Sequence, residues 1–171
     1  MEELKIFLDT SIVHRIFRID MEKLDDSLYE EDRVFLRKVL DIYSEGDRIE
    51  FYVNPSVKLE IDATKNQKRR RALQEIFEKF KFIPFNKTIF PFVFPANLLK
   101  EEEVKILERL CEENPGLEKD KKIIADATFG YMDILLTTDR RHLANKGIHI
   151  QHLKIFTPKE LCEYLNNLGL I

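Results

Sequence analysis

At 171 residues the chain has the length of one domain with a continuous core. Its hydrophobic fraction of 44%, with 13 Phe and no Trp, excludes a wholly disordered protein. The 28 Lys plus Arg nearly balance 31 Asp plus Glu. A net charge of -3 excludes a polycation acting through its overall charge, although a local basic stripe can still attract phosphates.

The opening MEELKIFLDT lacks the basic segment and long apolar stretch of a secretory signal. No run approaches the roughly 18 apolar residues of a membrane helix, so a cytoplasmic location with no membrane association is expected. Cys111 and Cys162 sit in apolar helical patterns without CxxC spacing, and are expected to be reduced, buried and structural.

In chain order, Lys5 to Leu8 predicts a buried strand that stops at Asp9-Thr10-Ser11, residues suited to capping a helix. Helical spacing follows through Ile12, Val13, Ile16 and Phe17, and again from Phe35 to Tyr43. The acidic stretch Glu22 to Asp32 between them is expected to be a loop. Phe51 to Val53 predicts a second strand, and Asn54-Pro55-Ser56 a capped helix start with proline in the first turn. The basic segment Lys65 to Arg71 leads into an amphipathic helix, and Phe82-Ile83 suggests a third strand. An aromatic, proline-broken segment and an amphipathic helix from Leu98 to Glu113 form a possible insert at about 86–115, and Asn114-Pro115-Gly116 closes it with a turn. A helix from Lys119 to Tyr131, a strand Ile134 to Leu136, a short helix from Thr137-Thr138-Asp139 to Ala144, a strand Ile148 to Phe156 and a helix Pro158 to Leu168 complete the chain. Strands alternating with helices predict an α/β fold. The expected form is a three-layer α/β/α domain over residues 1–171, with a central, mainly parallel sheet of about five strands and its site at the carboxyl ends of the strands.

Asp9 and Asp139 each follow a strand and therefore share that rim, and Glu60 and Asp120 lie on helices that border it. Like charges at 4 Å repel by roughly 1 kcal/mol in water and about 4 at an effective dielectric of 20, so such a cluster needs counter-charge. Oxygen-only ligands suit Mg²⁺ or Mn²⁺, and the four scattered histidines give no zinc pattern. Each acid also has an ordinary reading, Asp as a helix cap and Glu as a solvated residue.

Phe7-Leu8-Asp9-Thr10-Ser11-Ile12, Pro55 through Ile61, Asp120 through Ala127, Leu135 through Arg140 and Phe156 through Leu161 together resemble the PIN-domain nucleases, which include the toxins of VapBC-type pairs. The resemblance implies a metal-dependent endoribonuclease that cuts RNA by hydrolysis at Asp9, Glu60, Asp120 and Asp139, with Ser11 and Thr137 as active-site hydroxyls. It further implies Mg²⁺ or Mn²⁺ as cofactor and a cognate antitoxin as a candidate partner. Asp126, six residues after Asp120, falls about 600° round a helix and hence on another face.

Lys65, Arg69 and Arg70, and Arg140 and Arg141 beside Asp139, are candidate contacts to the RNA backbone, each against the plainer reading of a solvated helix face. His14 is read as packing. The Phe-rich insert is read as core or subunit packing, compatible with a homodimer, rather than as a base-stacking platform. Two other readings stand beside the nuclease. One is a non-catalytic PIN-like module that binds RNA or protein. The other is a haloacid-dehalogenase-like phosphatase, which Ser11 disfavours by standing where that mechanism needs a second aspartate.

Overall fold

The computed structural model describes residues 3–19, 27–45, 48–82, 105, 108–109, 112, 121–141, 143–144 and 152–170. The strands are β1 (Leu4–Leu8), β2 (Ile49–Val53), β3 (Lys81–Phe82), β4 (Ile134–Leu136) and β5 (Lys154–Phe156). The described helices are α1 (Thr10–Phe17), α2 (Ser27–Glu45), α3 (Pro55–Asp62), α4 (Gln67–Phe77), α5 (Lys121–Phe129) and α6 (Pro158–Asn167). The sheet has the order β3-β2-β1-β4-β5 and every neighbouring pair is parallel. Four strands of three or more residues make up its body. The fifth expected strand is only the two-residue pairing of β3 at the edge.

Successive side chains of a strand point to opposite faces, so a strand buried throughout is covered on both sides. Ile6, Phe7 and Leu8 of β1 and Ile134, Leu135 and Leu136 of β4 are all wholly buried. That is the composition of a parallel sheet's centre, and full burial of each such side chain contributes about 1.5–3 kcal/mol. From β1 the chain builds outward through β2 to β3, then returns to the other side of β1 for β4 and β5. Strand order therefore reverses between β1 and β4, and their pairing Leu8↔Leu136 brings Asp9 and Thr137, the next residue of each, side by side at the carboxyl edge. Ligands of open α/β sheets bind at such a reversal.

Local chemistry sets the helix ends. Asn54 caps α3 by accepting from the Val57 amide at 2.9 Å, with Pro55 in the first turn. Thr157 and Glu160 form a reciprocal capping box on α6. Both α5 and α6 end in a Schellman motif. Gly169 takes the left-handed position after α6, but after α5 that position falls to Tyr131, at φ 55°. α2 packs on α6, where the Cys162 thiol reaches the Phe35 carbonyl at 3.3 Å, and α1 packs on α4.

Several expectations change. The stretch read as a loop to Asp32 is helical from Ser27, with Glu30 as an acid in the first turn, where it favours the helix dipole. No regular helix follows Asp139 among the described residues. The Leu143 and Ala144 amides both bond to the Asp139 carbonyl, an isolated turn. The last strand is confined to Lys154–Phe156 among the described residues. Of the segment 98–113, the described Lys105, Glu108, Arg109 and Glu112 are helical. The aromatic segment, Cys111, the turn at 114–116 and Asp120 lie outside the described residues. No helix among the described residues is long and apolar enough to cross a membrane.

Candidate active site at the switch between β1 and β4

Asp9 stands at the N-cap position of α1, yet its side chain makes no capping bond there. It turns instead toward β4. Its Oδ2 accepts from the Ser11 hydroxyl and from the Thr137 hydroxyl, each at 2.7 Å. A hydroxyl has one proton to donate, so both are committed to Asp9, and the 3.5 Å approach of Ser11 Oγ to Thr137 Oγ1 adds no strong bond. Their lone pairs then accept from the next loop. The Thr138 amide donates to Ser11 Oγ at 3.1 Å and the Asp139 amide to Thr137 Oγ1 at 3.0 Å. The two hydroxyls thus clamp the Asp9 carboxylate to the backbone that carries Asp139.

Asp9 is only 6% exposed. Burial pushes its carboxyl above the usual carboxylate range. The hydroxyls of Ser11 and Thr137 and the Thr10 backbone pull it back, and the charge of Asp139 adds to the rise. No described Lys or Arg counters that rise. A buried carboxylate with a like-charged neighbour is stabilised by a proton or by a cation. Asp139 is half-buried, and its Oδ1 accepts from the Arg141 amide at 3.0 Å.

Two hard carboxylate donors at one sheet edge fit Mg²⁺, which typically takes one or two protein carboxylates and fills its remaining positions with water and phosphate oxygens. Glu60 lies in the exposed stretch Lys58–Glu60 of α3. Among the described residues no three His, Cys, Asp or Glu gather into a metal-holding group, so the acids brought together there are Asp9 and Asp139, and Asp120 lies outside those residues.

A second buried polar contact lies beside the first. Asn54, at the carboxyl end of β2 and wholly buried, donates its side-chain amide to Oδ2 of the buried Asp126 of α5. One amide group therefore both caps α3 and anchors α5 to the strand edge. The cap is a local signal in the sequence, whereas the bond to Asp126 spans 72 positions and has none.

The basic candidates divide. Arg140 forms a two-pronged ion pair with the fully buried Asp32 of α2, Nη2 to Oδ1 at 2.6 Å and Nη1 to Oδ2 at 3.0 Å. The hydrogen bonds to Asp32 hold the guanidinium above its ordinary value. Arg15 lies 4.0 Å from Asp32, and Glu31 pairs with Lys159 at 3.1 Å. The pair ties the Asp139 turn to α2, so part of the Arg140 charge offered to RNA by the sequence is taken up by Asp32. Arg141 and Lys65 are exposed. Arg70 reaches the Thr64 carbonyl at 3.5 Å and adds to the charges that, after the Lys58 and Gln74 hydrogen bonds, hold Asp62 below its usual range. Arg69 reaches His14.

Compared with protein-family profiles, curated proteins and solved structures, the chain matches none.

Proposed function

We propose that the chain is a metal-dependent endoribonuclease with a three-layer, PIN-like α/β/α domain, hydrolysing RNA phosphodiester bonds at the edge between β1 and β4. One observation carries this reading: a buried Asp9 carboxylate, destabilised by burial and by Asp139, at the point where strand order reverses. Structural acids at helix starts cap their own helix, and Asp9 does not.

In this reading Asp9 and Asp139 hold Mg²⁺ or Mn²⁺, with Glu60 and Asp120 as further acidic candidates. The chemistry expected of such a cation is neutralisation of phosphoryl charge and activation of water near neutral pH. The protein's own residues do the positioning. Ser11 and Thr137 fix the Asp9 carboxylate by two donated hydrogen bonds and leave it no freedom to rotate away. Through their lone pairs they hold the Thr138 and Asp139 amides, which sets the separation of the two carboxylates before substrate arrives.

The test is cleavage of end-labelled single-stranded RNA with Mg²⁺ or Mn²⁺, with and without EDTA, by the wild type and by Asp9→Asn. Metal-dependent fragments from the wild type, lost with EDTA and in the variant, are expected. Equal cleavage in every arm, or release of inorganic phosphate in place of fragments, refutes the assignment.

A further inference from the structure

Between α1 and α4 lies a group of nitrogen-bearing side chains that the proposed reaction does not use. Arg69 Nη2 lies 3.0 Å from His14 Nδ1, and the guanidinium carbon stands 6.0 Å from the centre of the Phe17 ring. Arg69 Nε is buried without a hydrogen-bond partner. Burial first, then Arg69, then Arg18 hold His14 below its usual value, so the imidazole is neutral and accepts from the guanidinium. All three side chains are partly exposed, and among the described residues no hydrogen bond or ion pair joins Arg69 or Arg18 to a carboxylate. Ion pairing is the usual condition for drawing a guanidinium out of water, and here the neighbours are a second arginine and an imidazole.

The arrangement contrasts with that of three other arginines. Arg140 and Arg33 have carboxylate partners, and Arg70 lies near Asp62. A planar guanidinium fork beside an imidazole and a second positive charge is donor-rich and acceptor-poor. It suits a tetrahedral oxyanion with several acceptor oxygens and does not suit a neutral or cationic ligand. Its place on α1 matters as well. His14 follows Ser11 by three residues, on the same helix face and about 4.5 Å further along the axis. Ser11 is bonded to Asp9. The group therefore stands within reach of a neighbouring phosphate of a strand whose reacting phosphate lies at Asp9.

We infer that His14, Arg69 and Arg18 form a phosphate seat between α1 and α4 that holds a non-reacting phosphate of the RNA strand. The identity of the strand rests on the nuclease reading; the oxyanion seat does not. An arriving phosphate accepts from the guanidinium and favours protonation of His14, which adds a donor only when the site is filled.

Two measurements on the intact chain test this. In the first, inorganic phosphate is titrated while the His14 imidazole is followed by NMR, its signals assigned by their loss in His14→Gln. A saturable change at His14, absent in Arg69→Gln, is expected. In the second, RNA cleavage is compared in wild type, Arg69→Gln and Arg69→Lys. KM should rise roughly tenfold in Arg69→Gln, as for loss of one charge-assisted phosphate contact, and by less in Arg69→Lys, with kcat changed less than about twofold in both. Arg69→Gln removes a cation from beside Arg18 and loses one hydrogen bond to His14, so its thermal midpoint should stay within a few degrees of the wild type, which separates lost binding from lost folding. No change at His14 with phosphate, or a wild-type KM in a folded Arg69→Gln, overturns the seat. A wild type that fails to cut RNA while phosphate still titrates His14 upholds the seat and refutes the nuclease.

Discussion

Replacing Arg140 by Met removes one partner of the pair with Asp32 while keeping much of the side-chain volume. Asp32 is wholly buried and takes both prongs of the guanidinium, at 2.6 and 3.0 Å. Breaking a buried ion pair from one side costs about 3–5 kcal/mol, because the remaining charge stays in the interior. Arg15, 4.0 Å from Asp32, partly takes over, which places the expected loss near the lower end, about 3 kcal/mol. Domains typically have about 5–15 kcal/mol of stability, so the variant should still fold, with a midpoint lower by roughly 6–12 °C. Urea unfolding of wild type, Arg140→Met, Asp32→Leu and the double variant measures the coupling. The double variant should regain most of the loss, since an apolar pair of similar size can replace a buried ion pair at little cost. A loss below about 1 kcal/mol for Arg140→Met, or strictly additive effects, would refute the view that this pair anchors the Asp139 turn to α2.

Three further outcomes follow from the same contacts. The Asp9 carboxyl binds its proton more tightly folded than unfolded, so its contribution to stability is present below the ordinary carboxylate range and is lost as pH rises through the raised value. In metal-free buffer Asp9→Asn should therefore be more stable than wild type at pH 7, by about 0.5–2 kcal/mol, with the gap closing toward pH 4; a variant less stable than wild type at pH 7 contradicts the burial argument. Asn54→Ala removes both the α3 cap and the donor to Asp126, and should cost about 2–4 kcal/mol in chemical unfolding; a loss confined to a few tenths would mean the Asp126 contact contributes nothing. Tyr131→Gly relieves a left-handed backbone position at an exposed residue and should raise stability by about 0.5–1 kcal/mol. A fall instead would show that stacking of Tyr131 on His152 outweighs the strain.

Much of the site was legible because it is built from strand ends. Leu8 and Leu136 are read as the last residues of apolar runs, and once those runs are neighbouring parallel strands, Asp9, Ser11, Thr137 and Asp139 must meet. The Asn54-Pro55 start of α3 was legible for a similar reason, since capping is a local choice. What escaped was the partner of each polar group. The density of acids around Asp32 reads as a loop, whereas the segment is helical from Ser27, and with Asp32 in a loop nothing in the sequence points Arg140 to it. The angle between Asp126 and Asp120 along one helix says nothing of a contact on another element, and Asp126 bonds to Asn54. His14 reads from the sequence as a packing residue, and the approach of Arg69 to it depends on how α1 lies across α4, which helix spacing alone does not encode.

In the proposed reaction Asp9 and Asp139 share a divalent cation. Its most direct test is Mn²⁺ binding followed by electron paramagnetic resonance, in which the signal of the free ion disappears as it binds, for the wild type and the Asp9→Asn and Asp139→Asn variants. Saturable loss of the free-ion signal with the wild type, weakened at least about tenfold by either substitution, is the predicted result. Equal Mn²⁺ uptake by all three proteins, or none by the wild type, would contradict it.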